Sequence, residues 1–183
     1  ITGEHVTAMN AAVSLNKLLQ ISAGAVYTDE GSTLAFDIKH RYKVLREVID
    51  ESSQKILIFV PFKHVIDILT DKLRGEGITT EVIRGDVPAH RRTDIFKSFQ
   101  ESVDPRVLVI QPQAAAHGVT LTAANTVVWW GPTSSLETYD QANARVHRSG
   151  QKHKSTVVQL QGSAVEKHVY KLLDKRINVH AKF

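Results

Sequence analysis

The chain is expected to fold as an α/β domain: a doubly wound parallel sheet with helices on both faces, preceded by a helical extension. Three observations predict this class. Short apolar runs without alternation, led by Lys55, Ile56, Leu57, Ile58, Phe59 and Val60, have the character of strands buried on both faces. Segments with apolar residues at helical spacing separate these runs, opened by Pro61, Pro88, Ser134 or Ser135, and Ser163. The 183 residues are 42% hydrophobic, enough for one sizeable core.

Near the amino end, Val6, Met9, Val13 and Leu18 predict a helix over residues 5–20, with these side chains inward. Gly24 and residues 28–33, with Asp29, Gly31 and Ser32, read as a loop or short hairpin. Asp37 is a candidate cap for a helix reaching about Ser52, with Tyr42, Leu45, Val48 and Ile49 on its apolar side. Residues 1–54 are therefore expected to form a helical extension or linker, and residues 55–183 the α/β lobe. Within the lobe, Pro61 opens a helix with Val65, Ile66, Leu69 and Leu73 inward, ended by Gly75 and Gly77. Thr80–Ile83 is a short strand, and Pro88 starts a helix carrying Ile95, Phe96 and Phe99. Strands are expected at 106–110, 126–130 and 156–160. The helix capped by Ser134 or Ser135 is expected to run on through Arg145 and Arg148. Ser163 caps a last helix through Val165, Val169, Leu172 and Leu173. Strands alternating with helices argue for a parallel sheet covered on both faces.

Composition removes several classes of function. The chain has no cysteine, so disulfides and thiolate-zinc sites are excluded, and a cytosolic setting is allowed. Its nine histidines show no metal-binding spacing, and no metal site is expected. No apolar run approaches membrane-spanning length, so no membrane partner is expected. A net charge of +4 is compatible with a polyanionic partner. The chain begins at Ile1 and its one methionine is Met9, so a piece of a longer protein is expected.

The most informative stretch is 141–151, which reads Gln-Ala-Asn-Ala-Arg-Val-His-Arg-Ser-Gly-Gln. On a helix, Gln141, Arg145 and Arg148 share one face. Arginine stays charged, and its planar fork matches phosphate oxygens. Such a pair can serve as an arginine finger on a γ-phosphate; the alternative is a solvated basic face. Both arginines are expected to point into an open cleft. Arg84, Arg91, Arg92 and Lys97 form a second candidate phosphate-binding patch, with a solvated helix face as its alternative. Trp129 and Trp130 point to opposite faces, so at least one is expected in the core; the other is a candidate base-stacking platform. His117 is a candidate phosphate contact or a packed histidine, and Lys167, Lys171, Lys175 and Arg176 are expected to face solvent.

Taken in order, Ile56–Phe59, Gly85 with Arg91 or Arg92, the segment Gly118-Val-Thr-Leu-Thr-Ala-Ala-Asn125, and 141–151 resemble the motifs of superfamily-two helicases. The Arg-x-x-Arg-x-Gly-Gln ending is similar to Swi/Snf-like ATPases, and most to their small phage and bacterial branch. The resemblance covers residues 55–180, and 141–151 is its most specific part. It implies a RecA-like fold and the second of two motor lobes, in an ATP-dependent DNA translocase or helicase. It implies ATP between the lobes, and a first lobe that holds the phosphate loop and Mg²⁺. On this resemblance Gln141, Arg145 and Arg148 match the sixth motif, with Arg148 as the finger. Gly118, Thr120 and Thr122 match the fifth, between nucleotide and nucleic-acid backbone. It also implies a cytoplasmic setting in a bacterial or phage-infected cell.

The chain departs from the family pattern at Gln111 and Pro112, at Ala114, Ala115 and Ala116, and at the strand end Trp129-Trp130-Gly131, where an aspartate is common. Residues 150–155 have the wrong spacing for a phosphate loop, and no strand ends in an acidic pair. The chain alone is therefore expected to lack ATPase activity. Two other classes stay open: a nucleic-acid- or protein-binding module with a decayed motor, and the nucleotide-sugar half of a glycosyltransferase.

Overall fold

The computed structural model describes residues 10–116 and 119–180, with side chains described as far as residue 175 apart from that of Ala116. Helix α1 (Ala11–Ala23) is capped by Asn10, whose Oδ1 accepts from the Val13 N–H at 3.0 Å. It stops at Gly24, where φ is 114° and an added Cβ would lie 2.2 Å from Ile38 Cγ2. Only glycine fits both demands. The inward face of α1 differs from expectation. Val13 and Leu18 are exposed, whereas Leu19, Gln20 and Ala23 are buried, because α1 packs on the carboxyl-terminal helix from that side. Val6 and Met9 lie outside the described residues.

Strands β1 (Ala25–Tyr27) and β2 (Thr33–Ala35) then form a separate antiparallel hairpin. Helix α2 (Lys39–Glu51) follows. Asp37 accepts from the Lys39 N–H at 2.8 Å but stands one residue ahead of the N-cap, Ile38, and not in the capping position expected of it. Next come β3 (Lys55–Phe59), α3 (Lys63–Gly75), β4 (Thr80–Ile83), α4 (Ala89–Glu101) and β5 (Val107–Ile110). A 3-10 turn (Pro112–Ala116), β6 (Ala124–Trp129), α5 (Leu136–Asn143), β7 (Thr156–Gln159) and α6 (Ala164–His180) complete the chain.

The large sheet has the order β4-β5-β3-β6-β7, and all its pairs are parallel. Its strands alternate between two packed layers, as the two-residue period of a strand requires. Leu57, Phe59, Leu108, Ile110, Val127 and Trp129 face α4, α5 and α6. Ile56, Ile58, Val107, Val109, Val128 and Trp130 face α2 and α3. Tyr42, Leu45 and Ile49 of α2 share that second core, so α2 is one of the layers covering the sheet although it precedes residue 55. In α6, Val169, Tyr170 and Leu173 are buried; Leu172, expected inward, is exposed. Both tryptophans have no exposed surface, which removes the base-stacking reading for either. Among the described residues no helix is long and apolar enough to cross a membrane.

His64, at the start of α3, joins the hairpin to the lobe. Its Nε2–H donates to the Ala25 carbonyl at 2.8 Å, and its ring meets Tyr27 edge-on. Nδ1 is buried without a partner. Burial pushes the imidazole below its ordinary value of 6.5, against the weaker pull of the Ala25 hydrogen bond and Asp67. A depressed folded-state value means that the unfolded chain binds the proton more readily. His64 therefore contributes stability above pH 6.5 that is lost as the pH falls through its lower folded value. Urea melts across this range should show that loss, and His64→Gln should remove this part of the slope.

Candidate nucleotide and nucleic-acid site

Helix α5 carries the start of the sixth-motif segment. Ser135 caps it, accepting from the Thr138 N–H at 3.2 Å, and Glu137 occupies the positively polarised first turn. Gln141 is exposed and donates to Glu137 at 3.0 Å. The helix ends at Asn143 and does not reach the arginines, contrary to the sequence expectation. Beyond it, Arg145 N–H bonds to Ala142 O and Val146 N–H to Asn143 O, a tightened spacing that winds the chain out of the helix. Val146 is wholly buried and draws this turn into the core. Gly150, with φ of 102°, closes the segment.

The turn separates the two arginines. Arg145 is only 6% exposed, which corrects the expectation that both face an open cleft. Its Nε has no hydrogen-bond partner among the described residues. Burial, and then the neighbouring Arg148 charge, push its pKa down. Arg148 is exposed, and its Nη1 donates to Thr120 Oγ1 at 3.4 Å. Two adjacent cations, one largely desolvated, make a site that gains from a bound anion.

Thr120 belongs to the loop leading into β6, and backbone bonds tie that loop to the arginine turn. Leu121 N–H donates to Arg145 O at 3.0 Å. Gln151 Nε2 donates to Ala124 O at 2.8 Å and also lies within reach of Thr122 O and Val146 O. Gln151 thus staples the fifth-motif segment to the sixth. Its position at the end of the 141–151 stretch was visible in the sequence, but its role was not. Thr122 turns the other way: its Oγ1 accepts from Gln100 of α4 at 3.3 Å, while Gln100 Oε1 accepts from Ala123 N–H. Gly118 and His117 lie outside the described residues. Ala114 and Ala115, which stand where the family favours glycine, are buried in the core that holds Tyr139 and Ala142 of α5.

The second candidate patch lies elsewhere. Arg84 follows β4, at the sheet edge opposite β7. Its guanidinium is bound by Asp86 at 2.9 Å and by Asp67. Burial works against its charge, but the two carboxylates outweigh that and raise its pKa. A phosphate at Arg84 would share this guanidinium with the two carboxylates. Arg91 is exposed, 3.8 Å from Glu81, and lines an open groove of about 650 Å³ with Arg74, Asp94 and Asp104. Basic and acidic side chains thus share that groove. Lys167, Lys171 and Lys175 face solvent as expected, while the side chain of Arg176 lies outside the described residues. Among the described residues no cluster of histidine and carboxylate groups could hold a metal ion.

A parallel five-stranded sheet covered on both faces is the architecture of a RecA-like C-terminal helicase lobe. The profile of the helicase conserved C-terminal domain matches residues 40–150, and the chain belongs to this family. The matched region begins inside α2, consistent with the packing of that helix on the sheet. The chain is 37% identical over 103 residues to a SWI/SNF-related matrix-associated actin-dependent regulator of chromatin subfamily A-like protein 1 homolog of Caenorhabditis elegans, covering 56% of this chain and 15% of that protein. It is 34% identical over 114 residues to an uncharacterized ATP-dependent helicase of Mycoplasma pneumoniae, covering 60% and 11%. The crystal structure of the C-terminal part of the Fun30 ATPase domain superposes with a TM-score of 0.68 at 25% identity, covering 76% of this chain and 45% of that one. The chain thus spans a small fraction of the curated relatives it matches.

Proposed function

We propose that this chain is the second motor lobe of a longer ATP-dependent translocase or helicase acting on DNA. The observation that carries this reading is the pairing of Arg145 and Arg148 on a turn stapled by Gln151 to the Thr120 loop. In this reading Arg148 reaches the γ-phosphate of ATP bound between the lobes and neutralises charge that develops on the transferred phosphoryl group. Arg145, mostly buried, holds positive potential behind it. Gln141, on the exposed face of α5, and Gly118 border the nucleotide, and Mg²⁺ is held by the first lobe. Thr120 and Thr122 lie on the segment that meets DNA phosphates, and Arg91 has a secondary place there. Contacts to phosphates position the strand without reading its sequence. A cytoplasmic setting belongs to the same reading and follows from the family branch that the sequence resembles.

The test is ATP turnover. Purified residues 1–183 should hydrolyse no ATP with or without DNA, while the parent protein carrying both lobes should show DNA-stimulated hydrolysis. Turnover by residues 1–183 alone would overturn the division of labour between the lobes.

A further inference from the structure

We infer that Asn143 is a positioning residue for the arginine turn and acts through Trp129. This deepens the reading of Arg148 as the residue that meets the γ-phosphate, and it rests on that reading.

Asn143 is the last residue of α5. Its backbone carbonyl accepts from Val146 N–H at 3.2 Å, a bond that shapes the turn. Its side-chain Oδ1 accepts from the indole N–H of Trp129 at 3.0 Å. One residue therefore grips the sheet with its side chain and the arginine turn with its main chain.

The sheet end of this link is rigid. Trp129 lies in β6, paired with Phe59 of β3 and Gln159 of β7. Its ring is held between Phe59, at 4.8 Å between centroids, and Tyr139, at 4.7 Å. Tyr139 in turn accepts from Gln159 Nε2 at 2.9 Å, and Gln159 also donates to Asp174 of α6. The indole N–H has a fixed direction, so it fixes the place of its acceptor.

A buried indole needs some acceptor, and that need alone does not require a side chain: Trp130 uses the backbone carbonyl of Ala23. Trp129 instead draws on the residue where the helix gives way to the turn. A shift of Asn143 would pass directly to Arg148, and a misplacement of about 1 Å can cost on the order of 10²-fold in rate.

The experiment uses the two-lobe parent protein. Asn143→Ala should lower kcat for ATP about tenfold or more, with KM for ATP changed less than about twofold. Asn143→Asp keeps an oxygen acceptor and should retain most of the rate. Added to Arg148→Ala, Asn143→Ala should cost nothing further, because a positioning residue acts only through the group it positions. Losses that multiply would overturn the inference. If Asn143→Ala does not fold, Trp129→Phe keeps an aromatic ring, removes the donor and should give the same pattern. If Arg148→Ala abolishes turnover while Asn143→Ala and Trp129→Phe leave kcat unchanged, the positioning role alone fails. If Arg148→Ala leaves turnover intact, the finger reading fails and this inference falls with it.

Discussion

In the two-lobe parent protein, Arg148→Ala is expected to lower kcat for ATP hydrolysis by on the order of 10³-fold, as loss of a finger does elsewhere. KM for ATP should change less, because the contact matters most when charge develops in the transition state. Arg148→Lys should restore little, since an ammonium cannot reproduce the planar fork. Stability should hardly move, because Arg148 is exposed and the turn is kept by Val146 and Gln151. Arg145→Ala should behave differently. Its side chain is almost wholly buried, so a loss of stability should accompany the loss of rate. Steady-state kinetics with thermal melts on the three variants check this, and near-normal turnover by Arg148→Ala would overturn the assignment.

Glu166→Gln should destabilise the lobe by about 3–5 kcal/mol, the usual cost of breaking one side of a buried ion pair. Glu166 has no exposed surface, and Arg41 of α2 donates to it at 2.5 Å with only 9% of its own side chain exposed. Arg41 also donates to Trp130 O and lies over the Trp130 ring. The glutamine keeps the shape but leaves the guanidinium buried without its counter-charge. Replacing both residues by apolar ones, Arg41→Met with Glu166→Leu, should recover much of the loss. Urea denaturation measures both. A Glu166→Gln midpoint equal to the native one would mean that the pair is not what fastens α2 to α6.

The parallel sheet was legible because its inner strands β3 and β5 are near-unbroken apolar runs and helical periodicity separates the strands. A cap at Ser134 or Ser135 and one at Ser163 were legible from their places ahead of helical periodicity; the structure selects Ser135, and Ser163 Oγ accepts from Glu166 N–H at 3.3 Å. Helix α5 stops at Asn143 and does not run through Arg145 and Arg148 as their spacing suggests. Spacing can put two arginines on one face, but it cannot reveal that Val146 is drawn into the core and winds the helix out at Asn143. The pairing of Arg84 with Asp67 and Asp86 joins residues from different elements, and only the fold brings Asp67 to it. Gln151 and Asn143 were beyond reach because their partners are backbone carbonyls and an indole on distant segments. Glu166 stands in the first turn of α6 and accepts from Gly162 N–H at 2.7 Å, but its tie to Arg41 of α2 joins elements that only the fold brings together.

Trp129 and Trp130 are neighbours in the chain, yet they sit in different layers, and they are the only two tryptophans. Indole emission reports its immediate surroundings, so this one strand carries two optical sensors facing opposite ways. With Trp129 replaced by Phe, the remaining fluorophore watches the α1–α2 side. With Trp130 replaced, it watches the arginine turn. Denaturation curves from the two single-tryptophan forms then answer a question that the native spectrum blurs. Superimposable curves mean that the lobe melts as one cooperative unit, and displaced curves mean that one layer loosens while the other still holds.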